Sequence, residues 1–205
     1  SIGRGSAGTD INAIPVSSID RIEVLRDGAS VQYGSDAIAG VINIILKADT
    51  SGGSVSAEVG QMYEGDGESW RVGANAGFKI GDGFINLTGE YIDRGETNRA
   101  GPDSLRVSPP RVTQRIGDAD MTSKALWFNG GLPLGEIELY AFGGISQREA
   151  NSSGFYRSAG DGRTIPALYP SGFLPTLLTT ADDWSVALGL RGKIDDSWDY
   201  DVSLN

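Results

Sequence analysis

The chain has 205 residues, a formal net charge of −10, and neither cysteine nor histidine. Disulfides, thiolate or imidazole metal sites and Cys- or His-based catalysis are therefore excluded within it, and an acidic chain without clustered Lys and Arg is a poor partner for nucleic acid. Its 30 glycines, about twice the usual ~7%, point to a turn-rich chain with little helix.

The first residues, "GRGSAG" at Gly3 to Gly8, could suggest a phosphate cradle, but no Walker lysine follows and a plain glycine-rich loop is the commoner meaning. Next comes "IDRIEVLRDGASVQYGSDAIAGVINIILK", Ile19 to Lys47. "RIEVLRD" is a short strand, and Gly28 permits a backbone conformation closed to larger residues. "ASVQYG" makes one or two helical turns ended by Gly34, and "GVINIILK" returns as a second strand. Ile22, Val24, Val41, Ile42 and Ile44 are expected to share a small apolar core, with Glu23, Arg26 and Lys47 turned outward.

After "KADTSGG" the pattern becomes period two. "SVSAEVGQMY" sets Val55, Ala57, Val59 and Tyr63 against Ser56, Glu58 and Gly60. "WRVGANAGFKI" sets Trp70, Val72, Ala74, Ala76, Phe78 and Ile80 against Arg71, Gly73, Asn75, Gly77 and Lys79. "FINLTGEYIDR", "EIELYAFGGI", "DWSVALGLRGKI" and "WDYDVSLN" repeat the split, and "KALWFNGGL" is a weaker case, which makes about seven strands. The connections alternate as well: "IGDGF", "LPLGE" and "IDDSW" are tight, whereas 95–123 and 148–182 are long, irregular and rich in Gly, Pro and Ser. No apolar run reaches the ~18 residues of a membrane-crossing helix. Short turns on one side and long loops on the other are the pattern of an outer-membrane barrel. With the long loops outside, Tyr63, Trp70, Tyr91 and Trp184 fall near the outer interface and Trp198 near the inner one, all in the apolar register. A soluble antiparallel sandwich also has one apolar and one polar face and is the competing architecture.

The residues Ile14 to Lys47 carry a resemblance. Ile22-Glu23-Val24-Leu25-Arg26, a Gly-small turn, Tyr33-Gly34-Ser35, Ala37-Ile38 and Gly40-Val41-Ile42-Asn43-Ile44, ending in Lys47, resemble the end of the plug domain of TonB-dependent outer-membrane receptors. Many members have Arg-Gly-Pro where this chain has Arg26-Asp27-Gly28. The resemblance implies an all-β fold: part of a transmembrane antiparallel β-barrel preceded by the C-terminal part of a small α+β plug. Residues 1–47 would end the plug, 48–53 would link, and 54–205 would begin a 22-stranded barrel in the outer membrane of a Gram-negative bacterium. A chain that begins at Ser1 and stops inside "WDYDVSLN" is expected to be a piece of that larger protein. The implied function is energised uptake of a scarce solute, an iron chelate, cobalamin or carbohydrate, with TonB, ExbB and ExbD as partners and membrane lipid around the wall. TonB would act on a segment before Ser1. Arg26, with Glu23 beside it, would join a charged cluster between plug and wall; a solvated ion pair is the plain alternative.

Other signals are weaker. Asp66, Asp118 and Asp120 lie in loops, where carboxylates can bind calcium, but their spacing fits no helix-loop-helix site. Asp182 and Asp183 are strand neighbours and must point to opposite faces, which spoils a hydrolase pair. Phe155, Tyr156, Tyr169 and Phe173 could stack on a sugar or aromatic chelator, or equally fold their loop onto itself. No catalytic residue, metal ligand or cofactor is assigned, and the chain is not expected to be an enzyme. A passive barrel or surface adhesin without TonB gating is the alternative function.

Overall fold

A computed structural model describes residues 11–26, 40–195 and 197–205. Two 3-10 turns, Ile11–Ala13 and Val16–Ser18, lead into β1 (Ile19–Arg26), which pairs antiparallel with β2 (Gly40–Leu46). The other strands, β3 (Gly53–Gly60), β4 (Ser69–Ile80), β5 (Gly83–Arg94), β6 (Asp120–Leu134), β7 (Ile137–Ser153), β8 (Thr176–Asp195) and β9 (Trp198–Leu204), form one seven-stranded antiparallel meander in sequence order. The turn at Gly28 and the helical turns expected over 29–34 lie outside the described residues.

Local sequence explains the hairpins. Gly81 and Gly135 open the two-residue turns at 81–82 and 135–136 with φ of +59° and +68°. Positive φ at the first turn position gives a hairpin whose twist matches its strands, and glycine reaches it without a Cβ clash. Tight turns close one end of the sheet, and the connections 61–68, 95–119 and 154–175 leave from the other.

The faces are the reverse of those in a soluble sheet. Cross-strand register aligns Ala76, Leu87, Phe128 and Val186 on one face, and Phe78, Ile85, Ala141, Leu188 and Leu204 in the row below. On that face Trp184 is 80% exposed, and Val186, Leu188 and Leu190 are exposed too. On the other face Asn75, Asn86 and Thr88 are 6%, 2% and 4% exposed. Among the described residues the buried apolar side chains are only Trp127 and Ala187, so no two-layered sandwich core exists. The outward apolar residues of β8 run from Trp184 to Ile194. Ten residues at ~3.4 Å each make about 34 Å along the strand, or about 26 Å of height at a barrel's ~40° tilt, close to the ~25 Å lipid-facing band of outer-membrane barrels. The fold is thus part of an antiparallel barrel wall, as the alternation predicts.

Three expectations are corrected. The long loops are shorter than 95–123 and 148–182, because Asp120 to Thr122 pair with Glu149 to Asn151, and Arg148 to Ser153 pair with Thr176 to Ala181. Backbone pairing, helped by polar bonds such as that from Arg115 to the Asn151 carbonyl (2.6 Å), carries these strand ends, where the outward side chains are no longer regularly apolar. Tyr63 is not in a strand: β3 stops at Gly60, and the 61–68 connection turns back through Met62 N–H to Asp66 carbonyl (2.9 Å) and Gly65 N–H to Met62 carbonyl (2.9 Å). Finally, Ile22, Val24, Val41, Ile42 and Ile44 do not form a core. Ile22 pairs with Ile44 and Val24 with Ile42 on one face of the ribbon, Val41 pairs with Leu25 on the opposite face, and Ile22, Val24 and Ile42 are exposed. A two-stranded ribbon has no second layer of its own to cover either face.

Placing Arg at Leu188, near the middle of the apolar band, is expected to destabilise the membrane-inserted full-length protein by about 2 to 4 kcal/mol. Denaturant titration in lipid vesicles checks this, and a cost near zero would refute the outward facing of Leu188.

Candidate functional site

The polar face of the wall is occupied by the chain's own N-terminal part. Residues 15–18 and 47–49 lie against the inner faces of β4, β5 and β6. Ser17 donates from its backbone N–H (3.2 Å) and its hydroxyl (2.8 Å) to one carboxylate oxygen of Glu90 on β5. Asn129 on β6 donates its side-chain amide to the Lys47 carbonyl at 3.0 Å, while the Gly77 N–H bond to the Gly52 carbonyl (2.9 Å) continues the β3–β4 ladder by one residue pair. The two contact segments are also joined: Lys47 N–H donates to the Ser18 carbonyl at 2.9 Å, and the Ser18 hydroxyl donates to the Pro15 carbonyl at 2.7 Å.

Close approach needs glycine at two positions in the wall. A Cβ at Gly73 would collide with the Ser17 side chain, and one at Gly77 would collide with the Asp49 carbonyl. Asn75 lies between them on the same face. Its amide donates to the Asn86 side-chain oxygen and to the Thr88 hydroxyl (2.7 Å), so the covered patch is polar rather than an apolar core.

Towards the long-loop end, the two 3-10 turns and the wall enclose a cavity of about 610 Å³. Its N-terminal side is apolar, with Ile11, Ile14 and Val16, while the wall contributes Glu58, Arg71 and Arg94. Such a vestibule suits a solute carrying both apolar and charged groups.

The residues singled out in the sequence are distributed differently. Glu23 accepts from Arg21 Nε at 2.9 Å and from the Asn43 amide at 3.3 Å, both within the ribbon. Arg26 ends β1 opposite Gly40 and is exposed. Tyr169 and Phe173 stack on each other with centroids 4.4 Å apart, and Phe155 is exposed. The Tyr156 hydroxyl accepts from Arg111 at 3.0 Å and donates to the Ser171 carbonyl. Arg111 belongs to the other long loop and also donates to the Ser171 carbonyl, so the two loops are cross-tied. Asp182 and Asp183 fall on opposite faces, paired with Gln147 and Ser146. Sequence reading missed Ser17, Glu90 and Asn129. The available signal was that Gly73 and Gly77 stand four apart on the polar face of β4, where charged or amide side chains would otherwise be expected.

Acidic loop residues are neutralised by arginine. Arg99 reaches Asp66 with two hydrogen bonds, of 2.6 and 2.9 Å, and Glu64 at 3.1 Å. Those bonds from Arg99, with the Asn98 backbone N–H at 2.9 Å, hold the Asp66 carboxyl down to about 2 from its ordinary 3.8.

An antiparallel wall with an apolar outside and a polar inside, lined by the chain's own preceding segment, is the wall of a plugged barrel. Residues 2–41 match the family described as TonB-dependent Receptor Plug Domain. The chain is 39% identical over 101 residues to a protein of Vibrio vulnificus (strain CMCP6) named Vitamin B12 transporter BtuB, a match covering 47% of this chain and 17% of that protein. It is 38% identical over 97 residues to the protein of the same name from Vibrio cholerae serotype O1 (strain ATCC 39541 / Classical Ogawa 395 / O395), covering 45% of this chain and 15% of that one. The chain is similar to that plug family over residues 2–41 and to these transporters over about half of its own length. The chain thus spans less than a fifth of the length of these curated relatives.

Two outcomes are expected. Glu90→Ala should weaken the seat of residues 15–18 by about 1.5 to 3 kcal/mol, the worth of hydrogen bonds to a charged group, and Gly77→Val should lift residues 47–49 from the wall. Hydrogen exchange at those segments of the full-length protein reports both, and unchanged protection would remove the assigned contacts. The loop tie has a defined pH window. Because the native pKa of Asp66 is depressed, its stabilisation is fully present above the ordinary 3.8 and is lost as pH falls through about 2. Protease sensitivity of the 61–68 connection against pH should follow that window, and Arg99→Gln should move its onset upward.

Proposed function

We propose that this chain supplies the end of the plug and the first wall strands of an outer-membrane transporter that takes up a scarce solute in a TonB-dependent manner. The observation that carries the proposal is the docking of the N-terminal segment on the polar inner face through Ser17, Lys47 and Asp49, while the opposite face presents a lipid-height apolar band. β3 and β9 each have one partner strand in the sheet. An open sheet edge in hydrocarbon leaves backbone groups unpaired at several kcal/mol each, so further strands, in a barrel of about 22, would close the wall. The seated plug blocks diffusion. TonB, driven by the inner-membrane proton gradient through ExbB and ExbD, would unseat it from a contact segment outside this chain. Arg26 and Glu23 are retained as candidate charged contacts between plug and wall. The relatives' printed name makes cobalamin the first solute to try, with ferric chelates and oligosaccharides next.

The test is uptake by cells expressing the full-length protein, with and without TonB. Accumulation of cyanocobalamin, a ferric chelate or an oligosaccharide that disappears without TonB supports the proposal. Entry independent of TonB favours the passive barrel. Arg26→Ala is expected to leave barrel assembly intact and to change plug retention or transport; unchanged uptake and plug accessibility would remove that residue from the mechanism.

A further inference from the structure

The cavity between the N-terminal turns and the wall has a cationic side. Register puts Glu58, Arg71, Ile92, Ser123 and Arg148 in one row across the inner faces of β3 to β7, and Arg94 in the next row towards the long loops. All six line the cavity. Arg94 stands two residues beyond Ile92, the partner of Arg71, so the two arginines are diagonal neighbours on one face, with β-carbons roughly 7 Å apart. Both guanidinium forks therefore reach a common point above the wall.

The acids of the cavity do not neutralise this pair. Glu90 gives one carboxylate oxygen to the Ser17 N–H and hydroxyl. Glu58 is exposed beside Arg71 in the row, and Arg148 is already engaged. Arg71 and Arg94 make no hydrogen bond or ion pair with any described residue, and the Nε of Arg94 is buried without an acceptor. A buried guanidinium donor left unmade is costly, and like charges at this spacing repel; one oxyanion relieves both. On the N-terminal side Ile11, Val16 and Ile22 turn exposed apolar side chains to the same space.

We propose that this cavity is a subsite for an amphipathic anion: Arg71 and Arg94 hold a phosphate or carboxylate, and an apolar or aromatic body lies against Ile11, Val16 and Ile22. Its volume of about 610 Å³ is that of a small-molecule site. The inference deepens the uptake reading above, on which it rests, by selecting an anionic solute over a neutral oligosaccharide.

Equilibrium dialysis of the full-length protein in detergent tests it, with radiolabelled phenyl phosphate as the probe and inorganic phosphate and benzyl alcohol as competitors. Phenyl phosphate is expected to bind and to be displaced only weakly by inorganic phosphate, which lacks the body, or by benzyl alcohol, which lacks the charge. Arg71→Gln and Arg94→Gln should each weaken binding about tenfold, the loss of charge-assisted hydrogen bonds. Ile11→Ser, outside the wall, should weaken phenyl phosphate while leaving inorganic phosphate unchanged, and Lys79→Gln, at the tight-turn end of the same face, should change neither. Absence of binding, as when carboxylates of plug residues outside this chain already hold both forks, would overturn the subsite. So would binding that survives both arginine changes, or equal displacement by benzyl alcohol. TonB-dependent uptake of cyanocobalamin or an oligosaccharide by the same protein would then leave the transporter reading standing, whereas uptake that never depends on TonB would overturn that reading without touching the subsite.

Discussion

A sheet that exposes Trp184, Val186, Leu188 and Leu190 while burying Asn75, Asn86 and Thr88 is stable only if the medium outside it is apolar and the space inside it polar. Every other feature answers to that inversion. The strands run in sequence order because neighbours joined by tight turns satisfy one another's backbone groups, the condition lipid imposes most strictly. The N-terminal segment meets the wall through a serine hydroxyl, carbonyls, an asparagine and a carboxylate, because the face it covers offers polar groups to pair with.

Glycine on the inner face is used in two ways. At Gly73 and Gly77 the missing Cβ admits the backbone and short side chains of the preceding segment. Elsewhere the space above a glycine is filled from a neighbouring strand: Phe84 lies over Gly131, Trp127 over Gly144 and Tyr140 over Gly189. Aromatic rings thus pad the wall from within at these positions, much as an aromatic rescues a glycine across strands. The division also explains why Trp127 is one of the two buried apolar residues of the sheet.

The seven wall strands were legible because an outward row of apolar side chains leaves a period of two in the sequence. Legibility stopped where that row stops. "REANSS" and the partner residues 176–181 pair by backbone beyond the apolar band, so composition made them look like loop. "KALWFNGGL" was weak for a related reason, since Trp127 faces inward and Phe128 outward and neither breaks the apolar run. The seat of the plug left only a trace, the glycines Gly73 and Gly77 on the polar face of β4; its partners could not be read, because Ser17 and Glu90 are 73 residues apart and no local pattern couples them. The resemblance at Ile14 to Lys47 pointed to a plug but drew attention to Glu23 and Arg26, whereas the described wall contacts come from the residues flanking the ribbon.

At the tight-turn end the inner face carries a charged network. Arg191 donates twice to Glu138 at 2.8 Å, stands 5.4 Å from the centre of the Tyr140 ring, and lies opposite Asp201, which accepts from the Tyr140 hydroxyl at 2.6 Å. Half-exposed ion pairs of this kind contribute under ~1 kcal/mol each, so stability is a weak reason for four such residues. Orientation is a stronger one. The bidentate grip on Arg191 and the anchored hydroxyl together fix Tyr140, stacked beside Phe142, in the position that covers Gly189. The same end of the wall therefore keeps a polar surface towards the lumen and a filled backbone beneath it, two requirements that an apolar residue at position 191 could not meet together.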